Sequence, residues 1–361
     1  MACNEGRIDD HGPFPAWDVR AYDYDLPAPA IAQHPARERD ASRLLVYHRP
    51  SERLSHHRFH ELPELLVPGD VLVLNDCRVM PARLQARRAD TGTPVELLLT
   101  EQLHDVTWRA MVKPGRSCRP GVRLAVSGTV ADVAAVAPDG QRTIRFDCTP
   151  AEVAALIETH GAMPLPPYIH RERGADLPED RERYQTVYAA HGSAIAAPTA
   201  GLHFTTALLD RLRERGVLIE TVTLDVGAGT FLPVQSGDVR RHHMHAEHFV
   251  LPGKTAAALN AARAGGARIV AVGTTSLRVL ETCIDAQGRF EARAGVTALF
   301  IHPPCSIRSI DGLITNFHLP RSTLLMLVAA WLGGDRWRSI YSAAREAGYR
   351  FYSYGDASLL W

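Results

Sequence analysis

The sequence lacks several features that would assign it to a class at once. Its 361 residues carry no formal net charge, with 40 basic and 40 acidic side chains, so no global field draws it toward nucleic acid or membrane. Its six cysteines include no CxxC pair, which argues against a disulfide framework or a cysteine-based zinc site. No apolar run approaches the roughly 20 residues that a membrane-spanning helix needs. We therefore expect a cytoplasmic protein that has no contact with membranes.

The composition is that of a globular protein with more than one small core. Hydrophobic residues make up 46% of the chain and charged residues 22%, both close to globular averages. A chain of this length is expected to form two domains or one domain with a large insertion. Residues 1–20 are polar and interrupted by proline and glycine, which predicts a loose N-terminal extension.

Changes in hydrophobic periodicity predict one domain inserted in another. Residues 76–148 contain short apolar runs separated by turn-forming residues, a pattern typical of a small antiparallel β-barrel. At Thr149-Pro150-Ala151-Glu152 a capping box with proline at the first helical position begins a helical period. Strands and helices then alternate, which predicts a largely parallel α/β sheet formed by residues 21–75 and 149–361.

Two stretches suggest common chemistries but lack part of the required pattern. Residues 225–230 resemble the nucleotide-binding turn of a Rossmann methyltransferase, but Phe231 replaces the third glycine and Pro233 follows, so no helix N-terminus is expected there. Residues 242–248 bring histidines close to a glutamate without an HExxH spacing. Hydrogen bonding around a pocket is the alternative to metal binding there, and we predict no metal site.

Four other stretches of small and polar residues each follow a predicted strand: residues 197–205, 272–278, 315–323 and 352–356. All but the last also begin a predicted helix. Because ligands collect at the carboxyl ends of strands in open α/β sheets, these stretches are expected to converge on one site. The alternative is that their serines and threonines only cap helices.

Arginine supplies nearly all of the positive charge and occurs in clusters. Its planar guanidinium suits bidentate phosphate contacts and stacking on bases. One cluster provides the candidate RNA-binding residues Arg78, Arg83, Arg87 and Arg88. A solvated charged face is the alternative interpretation.

From Tyr22 to Leu360, these stretches in this order resemble the S-adenosylmethionine:tRNA ribosyltransferase-isomerase family of queuosine biosynthesis. The similarity includes Tyr24-Asp25-Leu26-Pro27, Leu74-Asn75-Asp76, Arg183-Tyr184-Gln185-Thr186-Val187-Tyr188 and the strand-end stretches. It implies an α/β domain interrupted by a small β-barrel. It also implies transfer of the ribosyl group of S-adenosylmethionine to 7-aminomethyl-7-deazaguanine at the wobble position of tRNA, which gives epoxyqueuosine, adenine and methionine.

The implied partners are S-adenosylmethionine, as a co-substrate, and the tRNA anticodon stem-loop. The resemblance implies no metal or redox cofactor, and the enzyme is expected to be a monomer. The sulfonium centre acidifies the C5′ hydrogens, so the reaction needs a base, an acid for adenine, and polar groups around the sugar. The matching acid–base candidates are His203, His245, His318, Asp225 and Glu247. Candidate substrate-binding residues are Thr199, Gly201, Gly227, Gly229, Thr230, Thr274, Thr275, Ser276, Arg278, Asn316 and Tyr354.

The sequence departs from the family pattern at three places. Cys77 stands where the family usually has threonine, Ser358 where it has a bulky hydrophobic residue, and Pro303-Pro304-Cys305 where it has a Pro-Gly-aromatic turn. Two alternatives therefore stay open. One is a paralogue that acts on another RNA or a small nucleoside, and the other is a tRNA-binding protein without activity.

Overall fold

A computed structural model describes residues 14–172, 177–227, 229, 234 and 236–361. The chain forms two compact units. One contains the described residues up to Arg78 together with Thr186–Gly192 and Ala197–Trp361, and the other contains Val79–Gln185 and Ser193–Ala196. They are called the α/β unit and the barrel unit below.

The described residues contain seventeen strands and eight α-helices. Strands β1 to β17 are Arg43–His48, Arg53–Arg58, Val71–Asn75, Cys77–Val79, Arg83–Arg88, Pro94–His104, Thr107–Lys113, Arg123–Val126, Thr129–Val136, Arg142–Phe146, His191–Ala194, Leu218–Leu224, Glu247–Leu251, Ile269–Val272, Arg293–Thr297, Gly312–Asn316 and Ala357–Leu360. Helices α1 to α8 are Leu62–Leu65, Pro150–His160, Pro178–Arg183, Thr206–Glu214, Gly253–Ala264, Gly273–Cys283, Thr323–Leu332 and Arg336–Glu346.

The α/β unit is built on a nine-stranded sheet in the order β15-β13-β12-β3-β14-β16-β17-β1-β2. The central strands β12, β3, β14 and β16 are parallel to one another, and β17 is parallel to β1. The other four neighbouring pairs are antiparallel. The predicted α/β class is confirmed, and the sheet is mixed because antiparallel strands extend its parallel centre on both sides.

Continuous apolar runs form the centre of this sheet. Every residue of β3 and of β14 is buried, as expected of parallel strands that are covered on both faces. Leu208, Leu209 and Leu212 of α4 pack with these strands in one core. Helix α7 has ten residues, and none of the described helices is long and apolar enough to cross a membrane.

The barrel unit contains a closed antiparallel barrel in the order β10-β7-β6-β5-β8-β9, which confirms the predicted barrel. Alternating residues of β6, among them Val95, Leu97 and Leu99, are buried, as expected of a strand with one face toward a core. The capping box before α2 is also present, because Thr149 and Glu152 accept hydrogen bonds from each other's backbone N–H groups.

The barrel unit extends further along the chain than the predicted insertion of residues 76–148. Residues 149–185 belong to it because the segment after α2 pairs with a barrel strand. Arg83 and Ala162 exchange two backbone hydrogen bonds, of 3.1 and 2.8 Å. Helix α2 therefore joins the barrel, although its helical period suggested the α/β domain.

The start of the described chain is held to the α/β unit by backbone hydrogen bonds. Val19 N donates to Gly237 O at 3.0 Å, and Val239 N donates to Trp17 O at 2.8 Å. The predicted loose extension, residues 1–20, is therefore wrong for residues 17–20, whose backbone pairing was not apparent from composition. Residues 1–13 lie outside the described residues.

Candidate active site

The candidate site lies at one edge of the nine-stranded sheet. The parallel strands β12, β3, β14 and β16 all end at this edge. The antiparallel strands β13 and β17 begin there, because Phe249 pairs with Leu224 and Ala357 pairs with Asn316. Residues that follow the first four strands and precede the other two therefore share one edge, where open α/β sheets bind ligands.

A buried ion pair joins two of the predicted residues at this edge. Arg278 and Glu247, each 6% exposed, are bonded through Nη1 and Oε2. Glu247 Oε1 also accepts from Gly227 N at 3.0 Å, and Arg278 Nε donates to Leu299 O at 3.1 Å. Arg278 Nη2 is buried without a hydrogen-bond partner in the described part of the chain. This N–H group is suited to an anionic ligand.

His203 and Asn316 form a second buried polar group. His203 Nε2 lies 3.1 Å from Asn316 Nδ2, and His203 Nδ1 lies 2.8 Å from Ser42 Oγ. Phe59 stacks on the imidazole with ring centroids 5.0 Å apart. All four residues are buried. Both ring nitrogens of His203 are therefore engaged within the protein, an arrangement that favours a positioning role over proton transfer.

His318 is held by its neighbours and kept neutral. Its Nε2 lies 2.9 Å from Thr315 Oγ1, its N–H donates to the Tyr341 hydroxyl, and its carbonyl accepts from the Tyr24 hydroxyl. Burial lowers the pKa of His318 to about 3. A general base works best with a pKa near the working pH, so this histidine is poorly suited to that role.

Acidic side chains surround the end of β3. Asp76 accepts a hydrogen bond of 2.7 Å from Thr223 Oγ1. Asp225 leaves no room for a side chain at Gly192, where a Cβ would lie 2.0 Å from its Oδ1. Burial, and then the charges of Asp225 and Asp76, raise the pKa of the Cys77 thiol. The cysteine that departs from the family pattern is therefore a buried thiol whose ionisation is opposed by burial and by two nearby carboxylates.

Gly201 allows a tyrosine to approach the turn that precedes α4. A Cβ at position 201 would lie 2.0 Å from the Tyr188 hydroxyl. That hydroxyl, Thr186 Oγ1 and Thr275 Oγ1 are buried polar atoms without partners among the residues that the structure describes. Since an unpaired buried polar atom costs about 1–3 kcal/mol, this part of the edge is suited to a polar ligand.

Four other predicted polar residues at this edge are Ser276, Thr274, Tyr354 and Thr199. Ser276 Oγ donates to Val272 O at 2.9 Å within α6, so its hydroxyl is used inside the helix. Thr274 and Tyr354 are buried and Thr199 is half-buried.

Gly229, which lies among the described residues, contacts the histidine-rich segment. His245 is exposed, and a Cβ on Gly229 would lie 2.3 Å from its ring. Thr230 lies outside the described residues. Burial, and then the charges of His245 and His243, lower the pKa of His242. In the described ranges no group of three or more His, Cys, Asp or Glu residues is arranged to hold a metal ion, and the absence of a metal stays a prediction.

Comparison with known proteins identifies the family. A family model described as "Queuosine biosynthesis protein" matches residues 19–360, which is nearly the whole chain. The chain belongs to this queuosine biosynthesis family.

Relatives named S-adenosylmethionine:tRNA ribosyltransferase-isomerase match over almost their entire length. The protein from Acidiphilium cryptum is 50% identical over 94% of this chain and 98% of its own, and that from Moorella thermoacetica is 49% identical over 95% and 99%. A crystal structure titled S-adenosylmethionine tRNA ribosyltransferase, from Thermotoga maritima, is 37% identical, with a TM-score of 0.54, and covers 94% of this chain and 99% of that one.

The four arginines predicted to bind RNA differ in their exposure and in the hydrogen bonds that they form within the protein. Arg83 Nη2 donates to Leu165 O at 2.6 Å, and Arg88 forms a two-point ion pair with Asp90. Arg87 is exposed and donates to Gly92 O, and Arg78 is exposed. Arg78 and Arg87 are therefore the members of the set with surface guanidinium groups, and RNA binding stays a prediction for all four.

Sequence reasoning missed three residues that shape the site: Ser42, Phe59 and Tyr188. Ser42 and Tyr188 lie in stretches that match the family pattern, so the pattern could have suggested them. Phe59 belongs to an ordinary core segment, and its stacking on His203 depends on the fold. Among the departures, Ser358 Oγ donates to Thr315 O at 3.1 Å, so a hydroxyl is satisfied where the family carries a hydrophobic residue. Cys305 N donates to His302 O at 2.9 Å.

The lowered pKa of His318 predicts a specific loss of stability in acid. The unfolded chain binds a proton below about pH 6.5, whereas the folded ring does not until about pH 3, so protonation favours unfolding as the pH falls through this range. The free energy of unfolding should fall by about 1 kcal/mol between pH 6.5 and 5.5 from this group alone. His318→Gln should remove that part of the pH dependence in urea unfolding.

The exposed His60 provides the matched control. His60→Gln should unfold with the pH dependence of the wild type. An unchanged pH dependence in His318→Gln would contradict the assignment of a buried neutral ring.

Proposed function

We propose that this chain is an S-adenosylmethionine:tRNA ribosyltransferase-isomerase, the activity for which its relatives are named. It transfers and isomerises the ribosyl group of S-adenosylmethionine onto 7-aminomethyl-7-deazaguanine at the tRNA wobble position, forming epoxyqueuosine and releasing adenine and methionine. Membership of the family over residues 19–360 is the observation that carries the proposal. The polar sheet edge gives it a chemical basis.

Arg278 is the proposed contact for the carboxylate of the donor's methionine part. Its Nη2 is a buried donor without a partner among the described residues, while Nη1 is held by Glu247. The ion pair fixes the plane of the guanidinium, which reduces the conformational freedom that binding would otherwise remove. A carboxylate at Nη2 would satisfy this buried N–H with a charge-assisted bond.

Proton transfer is assigned to Asp225 and His245. Removing a C5′ proton next to the sulfonium gives an ylide that expels adenine, after which the acceptor amine attacks and methionine leaves. Asp225 directly follows β12 at the candidate edge and is proposed as the base, and the exposed His245 is proposed as the acid for adenine. Both carboxylate oxygens of Glu247 accept hydrogen bonds, and we assign it a positioning role beside Arg278.

The proposal extends to the partner and its location. A monomeric enzyme in the cytoplasm would contact the anticodon stem-loop through surface arginines, among which Arg78 and Arg87 are exposed. Phosphate contacts of this kind do not require a net positive charge on the whole chain. S-adenosylmethionine is a co-substrate, and no metal or other cofactor takes part in the proposed reaction.

The first test follows the label of the donor. The protein is incubated with tRNA that contains 7-aminomethyl-7-deazaguanine and with S-adenosylmethionine labelled in either the ribose or the methyl group. The ribose label should enter tRNA, the methyl label should leave with methionine, and adenine should be released in equal amount. Methyl label in tRNA would indicate a methyltransferase, and no label in tRNA would indicate a binding protein or another acceptor.

The second test asks whether Arg278 binds the donor carboxylate. Lysine cannot bond Glu247 and a ligand with the same planar geometry, so Arg278→Lys should weaken S-adenosylmethionine binding about tenfold to a hundredfold by calorimetry. Binding of 5′-methylthioadenosine, which lacks the carboxylate, should change little.

Arg263→Lys is the matched control, because Arg263 donates to the backbone carbonyls of Gly288 and Ser309. It should leave the affinity for both ligands near that of the wild type. Equal loss of both ligands in Arg278→Lys would mean that Arg278 only supports the fold.

A further inference from the structure

The two polar atoms of the Asn316 side-chain amide differ in their hydrogen bonding. The residue ends β16 and is 2% exposed. Its Nδ2 faces His203 Nε2 at 3.1 Å and the carbonyl oxygen of Asp356 at 3.5 Å. Its Oδ1 is buried and has no hydrogen-bond partner in the described part of the chain.

The carbonyl of Asp356 fixes the orientation of this amide. A carbonyl oxygen can only accept a hydrogen bond, so the amide atom that faces it must be the nitrogen. Rotating the amide by 180° would bring Oδ1 toward the Asp356 oxygen and place two acceptors together. The orientation with Nδ2 toward His203 therefore follows from the neighbouring atoms.

The amide orientation in turn fixes the protonation of His203. Because Asn316 Nδ2 donates, His203 Nε2 must accept, and the ring proton lies on Nδ1, from which it is donated to Ser42 Oγ at 2.8 Å. The Phe59 ring stacks on the imidazole, and all three polar residues are buried. Ser42, His203 and Asn316 thus form a chain of hydrogen bonds that ends at Asn316 Oδ1.

We propose that Asn316 contacts substrate, with Oδ1 accepting a hydrogen bond from a substrate amino group, and that His203 and Ser42 are positioning residues for this contact. The inference rests on the proposed function, whose two substrates each carry an amino group at a nucleobase. We assign the contact to one of two such groups, the exocyclic amine of the donor's adenine or the aminomethyl group of the acceptor. A buried oxygen acceptor is the partner that such an N–H needs once it leaves water.

The two sources are separated by measuring binding of each substrate alone. Asn316→Ala should weaken either S-adenosylmethionine or the modified tRNA at least tenfold and leave the other within about twofold. With wild-type protein, the affected ligand should lose a similar factor when its amino group is removed. The probes are a donor analogue with purine in place of adenine, and tRNA with 7-cyano-7-deazaguanine in place of the aminomethyl base.

Positioning by His203 is tested through conservative rescue. Glutamine can accept from Asn316 and donate to Ser42 as the neutral imidazole does, whereas leucine can do neither. His203→Gln should therefore recover most of the ligand-selective binding that His203→Leu loses. Asn260→Ala is the control for loss of a hydrogen-bonded amide, because the half-buried Asn260 exchanges hydrogen bonds with the backbone of Phe290. This variant should not affect the two ligands differently.

The outcomes distinguish this inference from the proposed function. If ribose label enters tRNA but Asn316→Ala weakens both substrates equally or neither, the Asn316 contact is wrong while the activity stands. Wild-type protein that binds both analogues as tightly as the natural substrates would also refute the contact. This measurement needs no variant, so it still decides the question if Asn316→Ala fails to fold. If no ribose label enters tRNA, the proposed function itself fails.

Discussion

The common edge of four parallel strands is the constraint on which the rest of the site depends. Strands β12, β3, β14 and β16 end together, and their apolar cores hold those ends in fixed positions. The residues at the end of each of these strands therefore carry backbone and side-chain polar groups that are buried away from water. Such groups need partners, since an unpaired buried one costs about 1–3 kcal/mol. The polar groups at the strand ends therefore either form hydrogen bonds with one another or are available to bind a ligand.

Polar groups that have internal partners and polar atoms that have none are both present at this edge, and the first hold the second in place. Glu247 is satisfied by Arg278 and Gly227, and His203 is satisfied by Ser42 and Asn316. These internal contacts hold the guanidinium and the amide in one orientation. Each of those two groups is left with one buried polar atom that has no partner among the described residues. A side chain that is held in one orientation by internal hydrogen bonds and has one polar atom without a partner is the arrangement expected of a preorganised binding site.

The sequence allowed the fold to be predicted, and also the convergence of several polar residues at one sheet edge, but not their individual contacts. Changes in periodicity predicted the barrel and the α/β alternation, and the strand-end stretches predicted the edge that holds Asn316 and Arg278. His203 and His318 were natural acid–base candidates because histidine titrates near neutral pH. The contacts that engage the His203 ring come from Phe59 and Ser42, which are far from it in sequence, and Thr315 holds the His318 ring from three residues away. The local sequence does not show which of these side chains contact each histidine.

A crystal structure of the protein with S-adenosylmethionine and the modified anticodon stem-loop is the most direct test of the claim that the unpaired atoms at this edge are completed by substrate. It should show a ligand oxygen within about 2.7–3.2 Å of Arg278 Nη2 and a ligand nitrogen within the same distance of Asn316 Oδ1. Both ligands bound with these two atoms facing only protein or ordered water would contradict the account.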